Sequence, residues 1–152
     1  MWELSKGGGL MRYKKGQFDR NKPKIDLEVI KQSMIEQSKT LLQEYLQNNP
    51  LLSYAKYEDG RYYTVTQEKQ QQLTSKLFMA TIKALNREVY ALTWNDTGNI
   101  CEEWTLEELT QLSEEIDDFV TDKVTKQQHI EVVIRNATTL EELESIVINY
   151  ED

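Results

Sequence analysis

Carboxylates are the densest group of side chains in this sequence that could act in catalysis or bind a metal ion. Ten Asp and Glu residues, and no Lys or Arg, lie between Asn95 and Asp122. Acid–base catalysis needs two carboxylates with separated pKa values, and a calcium loop needs oxygen ligands spaced around a glycine. Neither pattern is present, because the acids form adjacent pairs on a predicted helix. We predict no catalytic or metal site here, and interpret the acids as a solvated helix face or, alternatively, a patch that faces a partner protein.

The other candidates for catalytic chemistry are isolated in the sequence. The chain has one cysteine, Cys101, and one histidine, His129. It can therefore form neither an internal disulfide nor a Cys/His zinc site, and no spacing pairs a nucleophile with a base. The run Gly7–Gly9 lacks the Lys-Ser/Thr of a phosphate-binding loop. The sequence predicts no enzyme activity, no cofactor and no small-molecule substrate.

Aromatic residues are concentrated in two predicted hairpins. Because alternate residues of a strand face opposite sides, one layer of helices cannot bury all of them. They either pack across the strands or form a contact surface for a partner protein. We take Tyr62 and Trp94 as candidate partner-binding residues from this set, which comprises Tyr54, Tyr57, Tyr62, Tyr63, Tyr90, Trp94 and Trp104.

Residues 1–25 are predicted to form an extended arm, since Gly7–Gly9, Gly16 and Pro23 prevent a continuous helix or strand. The arm carries more apolar side chains than a solvated tail needs, interleaved with basic ones. We predict that it orders against a neighbouring subunit. An alternative is that Met11 is the natural start and part of residues 1–10 is incidental. The candidate partner-binding residues of the arm are Trp2, Leu4, Leu10, Arg12, Tyr13, Lys14, Lys15 and Phe18.

Charge is distributed unevenly along the 152 residues. The net charge is −8, but Met1–Lys31 carries +4 and the remainder −12. An acidic body does not suit non-specific nucleic-acid binding. The apolar runs are too short for a transmembrane helix or a secretory signal, so no membrane association is predicted.

Helix and turn signals divide the rest of the chain. Apolar residues recur at helical spacing after Asp26, a potential cap, until Asn48–Pro50; a second helix is predicted from Thr66 to about Asn86, with Leu73, Phe78 and Leu85 on its apolar face. Asp-Gly and Thr-Gly turns predict two hairpins, 51–65 and 89–104. Capping boxes at Thr105 and Thr139 open a long helix, ending near Asn136, and a short last one.

The order of these parts resembles an uncharacterised domain family of tailed-phage and prophage proteins, associated with tail fibres and baseplates. The resemblance rests on the Trp94–Gly98 turn, the helix start at Leu106–Leu109 and the closing segment Ala137–Ile146, and covers about residues 38–150. It implies a structural role in a phage tail, and brings no catalytic residues.

We therefore predict a single α+β domain over residues 26–152, with three to four helices packed on short antiparallel β-hairpins and an extended N-terminal arm. The resemblance implies a tail-fibre or baseplate-associated protein located in the virion tail and assembled in the bacterial host cytoplasm. It would bind other tail proteins or further copies of itself. The alternative is a tail-fibre assembly chaperone that is absent from the mature particle.

Overall fold

A computed structural model describes residues 24–152 of the chain. Within them lie four helices and two separate two-stranded antiparallel sheets, so the predicted α+β class is confirmed. The predictions made for the side chains of residues 1–23 lie outside the described residues. The helices are α1 (Leu27–Asn48), α2 (Gln67–Leu85), α3 (Leu106–Asn136) and α4 (Leu140–Glu144), and the strands are β1 (Leu51–Ser53), β2 (Arg61–Tyr63), β3 (Thr93–Trp94) and β4 (Glu102–Glu103).

The helix boundaries follow from side chains that satisfy free backbone groups. Asp26 caps α1 by accepting a hydrogen bond from the Glu28 amide at 3.0 Å, and Thr66 caps α2. Both predicted capping boxes are formed, at Thr105 and at Thr139. These caps satisfy amides that have no acceptor inside the helix, so each helix begins where the sequence predicts.

The core lies between α1, α3 and the inner faces of the two hairpins. Helix α3 packs along α1 and also contacts α2 and β1. The segment after α4 returns to this core, because the Tyr150 hydroxyl donates to the Ser38 carbonyl of α1 at 2.7 Å. The main buried apolar side chains are Ile35, Tyr63, Val65, Leu73, Trp94, Trp104, Leu109, Leu112, Ile134 and Leu143.

The structure corrects three expectations about packing. Trp94 is 3% exposed, so its ring belongs to the core and not to a contact surface. The strands are shorter than predicted, and Val89–Ala91 is exposed and outside any strand. Phe78 and Leu85 lie outside the core, because at about 100° per residue they point at least about 120° away from the buried Leu73.

Candidate interaction surface

The outer face of α2 carries the most exposed apolar side chains on any described helix. Phe78 and Leu85 are 65% and 78% exposed, and the half-buried Ile82 lies between them. Their spacing of four and three residues places the three side chains on one side of the helix. Scattered apolar residues are normal on a protein surface, whereas a stripe along one helix face is typical of a protein contact. We call Phe78, Ile82 and Leu85 the α2 stripe.

A second exposed apolar cluster lies on the outer face of the first hairpin. Leu52 of β1 is directly opposite Tyr62 of β2, and both side chains point to solvent, with Tyr62 56% exposed. Tyr54 is also exposed, and its ring covers Gly60 together with Leu52. The absence of a side chain at Gly60 allows this close approach, and its φ of +74° suits glycine. We call Leu52, Tyr54 and Tyr62 the hairpin cluster.

Polar contacts hold this hairpin against the second one. The Thr97 amide donates to the Tyr62 carbonyl at 2.8 Å, and the Thr64 and Thr97 hydroxyls are 2.9 Å apart. Arg61 approaches Asp96 at 3.8 Å. These contacts fix the position of the hairpin that carries the cluster. A fixed surface loses less conformational entropy on binding.

Tyr62 and Tyr63 show how the hairpin separates its two faces. Tyr63 is 1% exposed and meets Trp104 edge to face. Burial is the main cause that raises the pKa of the Tyr63 phenol to about 12, with the nearby Asp96 charge acting in the same direction. Tyr63 therefore stays neutral at physiological pH and serves the core, while Tyr62 faces solvent.

Trp94 is covered by two lysine side chains of α2. The Lys69 and Lys76 ammonium nitrogens lie 4.9 and 5.8 Å from the centre of the Trp94 ring, and Lys76 also donates to the Thr93 carbonyl at 2.6 Å. The apolar stems and cations of these two lysines lie against an indole that also belongs to the buried apolar core. The sequence pattern of a short strand does not contain this information.

The candidates for catalytic chemistry are not brought together by the fold. Cys101 is exposed beside β4. His129 is exposed on α3, and a helical rise of ~1.5 Å per residue places it about 35 Å along the helix from the cap residue Thr105. No group of three or more His, Cys, Asp or Glu side chains between residues 24 and 152 is arranged to hold a metal ion. None of the helices in the same range combines the length and the apolar character needed to cross a bilayer.

A concave groove lies between α1, α3 and the start of α2. Its volume is about 550 Å³. Its apolar floor consists of Leu42 and Leu46 of α1 and Val120 and Val124 of α3. We call the floor together with its polar rim the three-helix groove. The polar rim consists of Lys39, Gln43, Gln47, Thr66, Gln67, Glu68, Gln70 and Gln127.

Of the predicted partner-binding residues within 24–152, the structure places Tyr62 on the surface and Trp94 in the core. Sequence reasoning missed the α2 stripe, because Phe78 and Leu85 have the spacing of core residues. The buried Leu73 and Ala80 have the same seven-residue spacing as Phe78 and Leu85, so spacing alone does not separate the two sides of this helix.

Comparison of this chain with protein-family models, curated proteins and solved structures finds no match.

Proposed function

We propose that this chain is a structural component of a bacteriophage or prophage tail, associated with the tail fibre or baseplate, and that it acts by binding other tail proteins. The tail assignment rests on the resemblance of the Trp94–Gly98, Leu106–Leu109 and Ala137–Ile146 segments. The binding role rests on the surface of the fold. In this proposal the chain has no catalytic step and resides in the virion.

The α2 stripe is the observation that carries the binding role. Phe78 and Leu85 expose large apolar side chains on a helix whose opposite side is fixed by the buried Leu73 and Ala80. Burying such side chains in an interface contributes roughly 25 cal/mol per Å² of apolar surface removed from water. A helix also presents them on a backbone that is already ordered, so that binding costs no backbone ordering. Both features favour a protein partner with a matching apolar groove.

The hairpin cluster is a second contact point for the same role. Its tyrosine and leucine side chains lie on a hairpin that is held against the second hairpin by hydrogen bonds. They offer a large contact area and have few torsion angles to immobilise on binding. The phenol groups of Tyr54 and Tyr62 keep this surface compatible with water before assembly. The two surfaces together suit a component that contacts more than one neighbour in a particle.

Site-specific photocrosslinking in phage-producing cells tests the proposal. A benzophenone amino acid would be placed at Phe78, at Tyr62 and, as a control, at Gln72, an exposed polar position of α2 that points about 120° away from Phe78. We expect covalent adducts with tail subunits from positions 78 and 62 and none from 72. The substitution Phe78→Gln should abolish incorporation of the chain into particles, whereas Gln72→Ala on the same helix should not.

Quantitative mass spectrometry of purified particles separates the structural role from the chaperone alternative. A structural component remains in the particle in a fixed ratio to a major tail subunit. A chaperone gives the same crosslinks in cell extracts but is absent from particles. Absence from particles together with equal crosslinking from positions 78 and 72 would refute both roles.

A further inference from the structure

We propose that residues 146–152, which pack in a slot between α1 and α3, are exchanged between two copies of this chain, so that the segment of one copy binds in the slot of the other. We call this segment the strap. The strap slot consists of Ser38 and Tyr45 of α1 and Phe119 and Lys123 of α3. The exchange does not depend on the tail assignment, and it uses neither the α2 stripe nor the hairpin cluster.

The strap has the burial pattern of a β-strand but is not part of a sheet. Its even-numbered residues from 146 to 150 are half-buried or buried, and its odd-numbered residues from 147 to 151 are exposed. Side chains of an extended backbone alternate between two sides, so one side of the strap faces the body. Within residues 24–152, no backbone–backbone hydrogen bond joins residues 147–152 to another element. The strap can therefore leave the body without breaking a β-ladder.

Two polar side chains anchor the strap in the slot. The Tyr150 hydroxyl donates to the Ser38 carbonyl at 2.7 Å, and the Lys123 ammonium donates to the Asp152 carboxylate at 2.7 Å. Tyr150 and Asp152 are two residues apart and so face the same side of an extended backbone. The slot thus recognises a hydroxylated aromatic residue followed two positions later by an acid.

Buried polar groups are concentrated at this slot. Only four polar or charged side chains are buried among the described residues, and three of them are Ser38, Lys123 and Gln127. The Lys123 ammonium lies 5.2 Å from the centre of the Tyr45 ring and 5.7 Å from that of Phe119. Taking an ammonium out of water costs free energy that its ion pair offsets only in part, so an apolar residue would hold a permanent strap at least as well. The buried lysine instead makes the slot selective for the acid of the strap.

The strap is also incompletely packed against the body. A cavity of about 330 Å³ lies between it and the second half of α1, lined by Leu41, Tyr45 and Asn48 on the helix and by Ile148 and Tyr150 on the strap. Permanent protein interiors are close-packed and leave few such spaces. The strap is held at its anchors rather than along its whole length, which favours its release.

A second copy of the chain supplies the occupant that fits an open slot. Its strap carries the same side chains at the same spacing, so the exchanged contacts repeat those within one molecule. Val147 is 78% exposed and lies between α4 and the anchors, where a change of backbone direction disturbs no core contact. The covalent connection favours each strap in its own slot at low concentration. Exchange becomes favoured when copies are held close together, as they are in an assembly.

Two complementary full-length variants test the exchange. The open-slot variant combines Tyr150→Phe with Asp152→Asn, which removes both polar anchors of the strap and leaves the slot intact. The free-strap variant, Lys123→Met, impairs the slot and leaves the strap intact. The matched control for the open-slot variant combines Asn149→Ala with Glu151→Gln, two exposed strap residues, and removes the same charge.

Sedimentation velocity at high micromolar concentration measures association. We expect an equimolar mixture of the open-slot and free-strap variants to contain at least tenfold more dimer than either variant alone, because each chain supplies what the other lacks. A mixture of the free-strap variant with the matched control should stay monomeric. A monomeric first mixture, or equal dimerisation of the two mixtures, would overturn the exchange.

A peptide measurement does not depend on how the free-strap variant folds. A fluorescent peptide with the sequence of residues 145–152 would be titrated with the full-length open-slot variant and followed by anisotropy. It should bind at least tenfold more tightly than to the parent chain, whose own strap competes for the slot. An Asp152→Asn peptide should bind more weakly than a Glu151→Gln peptide of the same net charge. Equal affinities of these two peptides, or no binding to the open-slot variant, would refute the assignment of the slot.

Discussion

Tyr63 and Trp104 meet edge to face in the core, with ring centroids 5.5 Å apart and an angle of 79° between the rings. The contact joins β2 to the residue that precedes the cap of α3. It therefore fixes the first hairpin, with its exposed Tyr62, relative to the longest helix. The stability of the core and the position of the hairpin cluster depend on the same pair of rings.

Replacing each of the two neighbouring tyrosines of β2 with alanine should change the free energy of unfolding by very different amounts. Tyr63→Ala removes a buried ring and should lower the free energy of unfolding by about 3–5 kcal/mol, as for other large aromatic residues removed from a core. Tyr62→Ala removes an exposed ring and should change it by no more than about 0.5 kcal/mol. Urea unfolding followed by circular dichroism measures both values. Equal losses for the two variants would contradict the assignment of the two faces.

The two turn glycines should differ in their tolerance of alanine. Both have positive φ, at Gly60 and Gly98, so each substitution introduces backbone strain of about 1–2 kcal/mol. A Cβ at Gly60 would also lie 2.8 Å from Tyr54 and 2.9 Å from Leu52, whereas one at Gly98 meets nothing within 4 Å. We expect Gly60→Ala to lower the free energy of unfolding more than Gly98→Ala does. NMR spectra should show displaced Tyr54 resonances only in the Gly60 variant, and undisturbed Tyr54 resonances there would refute the close packing.

The two capping boxes should make equal and independent contributions to the free energy of unfolding. Thr105→Ala and Thr139→Ala each remove a hydroxyl that accepts from a backbone amide, at 3.1 and 3.2 Å respectively. Each should lower the free energy of unfolding by about 1 kcal/mol. Because the caps are separated by the full length of α3, the double variant should lose the sum of the two effects. Thr→Ser at the same positions keeps the hydroxyl and serves as the control, and a Ser variant as unstable as its Ala counterpart would argue against capping.

Asp152 should make part of the stability pH-dependent. Hydrogen bonds from Lys123 at 2.7 Å and Lys126 at 3.0 Å lower the pKa of this carboxyl below its ordinary value of 3.8. Because the pKa is lower in the folded state, the ionised carboxylate stabilises the fold at pH values above its ordinary pKa. This stabilisation is lost as the pH falls through the pKa of the folded state. Asp152→Asn should therefore be less stable than the parent at pH 7, and the difference should disappear at strongly acidic pH.

Thermal unfolding of both proteins between pH 2 and pH 7 measures this effect. Lys123→Met provides the control, because it removes the nearly buried cation that holds the carboxylate. Asp152→Asn should have a smaller effect in the Lys123→Met background. A difference between parent and Asp152→Asn that is the same at every pH would exclude the ion pair as its cause.

The helices could be predicted from the sequence because their signals are local. Asp26, Thr105 and Thr139 act within one turn of their own helix, and the Gly60 turn is determined by its own backbone. The orientation of α2 could not be predicted in this way. Phe78 and Leu73 are both apolar, and only contact with α3 determines which of them is buried.

The surface residues were predicted less well for a related reason. Alternation along a strand separates two faces, but it does not say which face a helix will cover. Trp94 is buried, and its ring lies beneath the cations of Lys69 and Lys76, polar residues that no hydrophobic pattern marks as its neighbours. Tyr62, the other candidate partner-binding residue of the hairpins, is exposed.

The shortness of the strands restricts how a partner can recognise the hairpin cluster. β1 and β2 have three residues each, so their edges offer too few backbone groups for a further strand to pair along them. β-augmentation is therefore a poor route to binding at this end of the molecule. Recognition has to depend on the shape and chemistry of individual side chains, so a single substitution can redirect the choice of partner while the backbone stays the same.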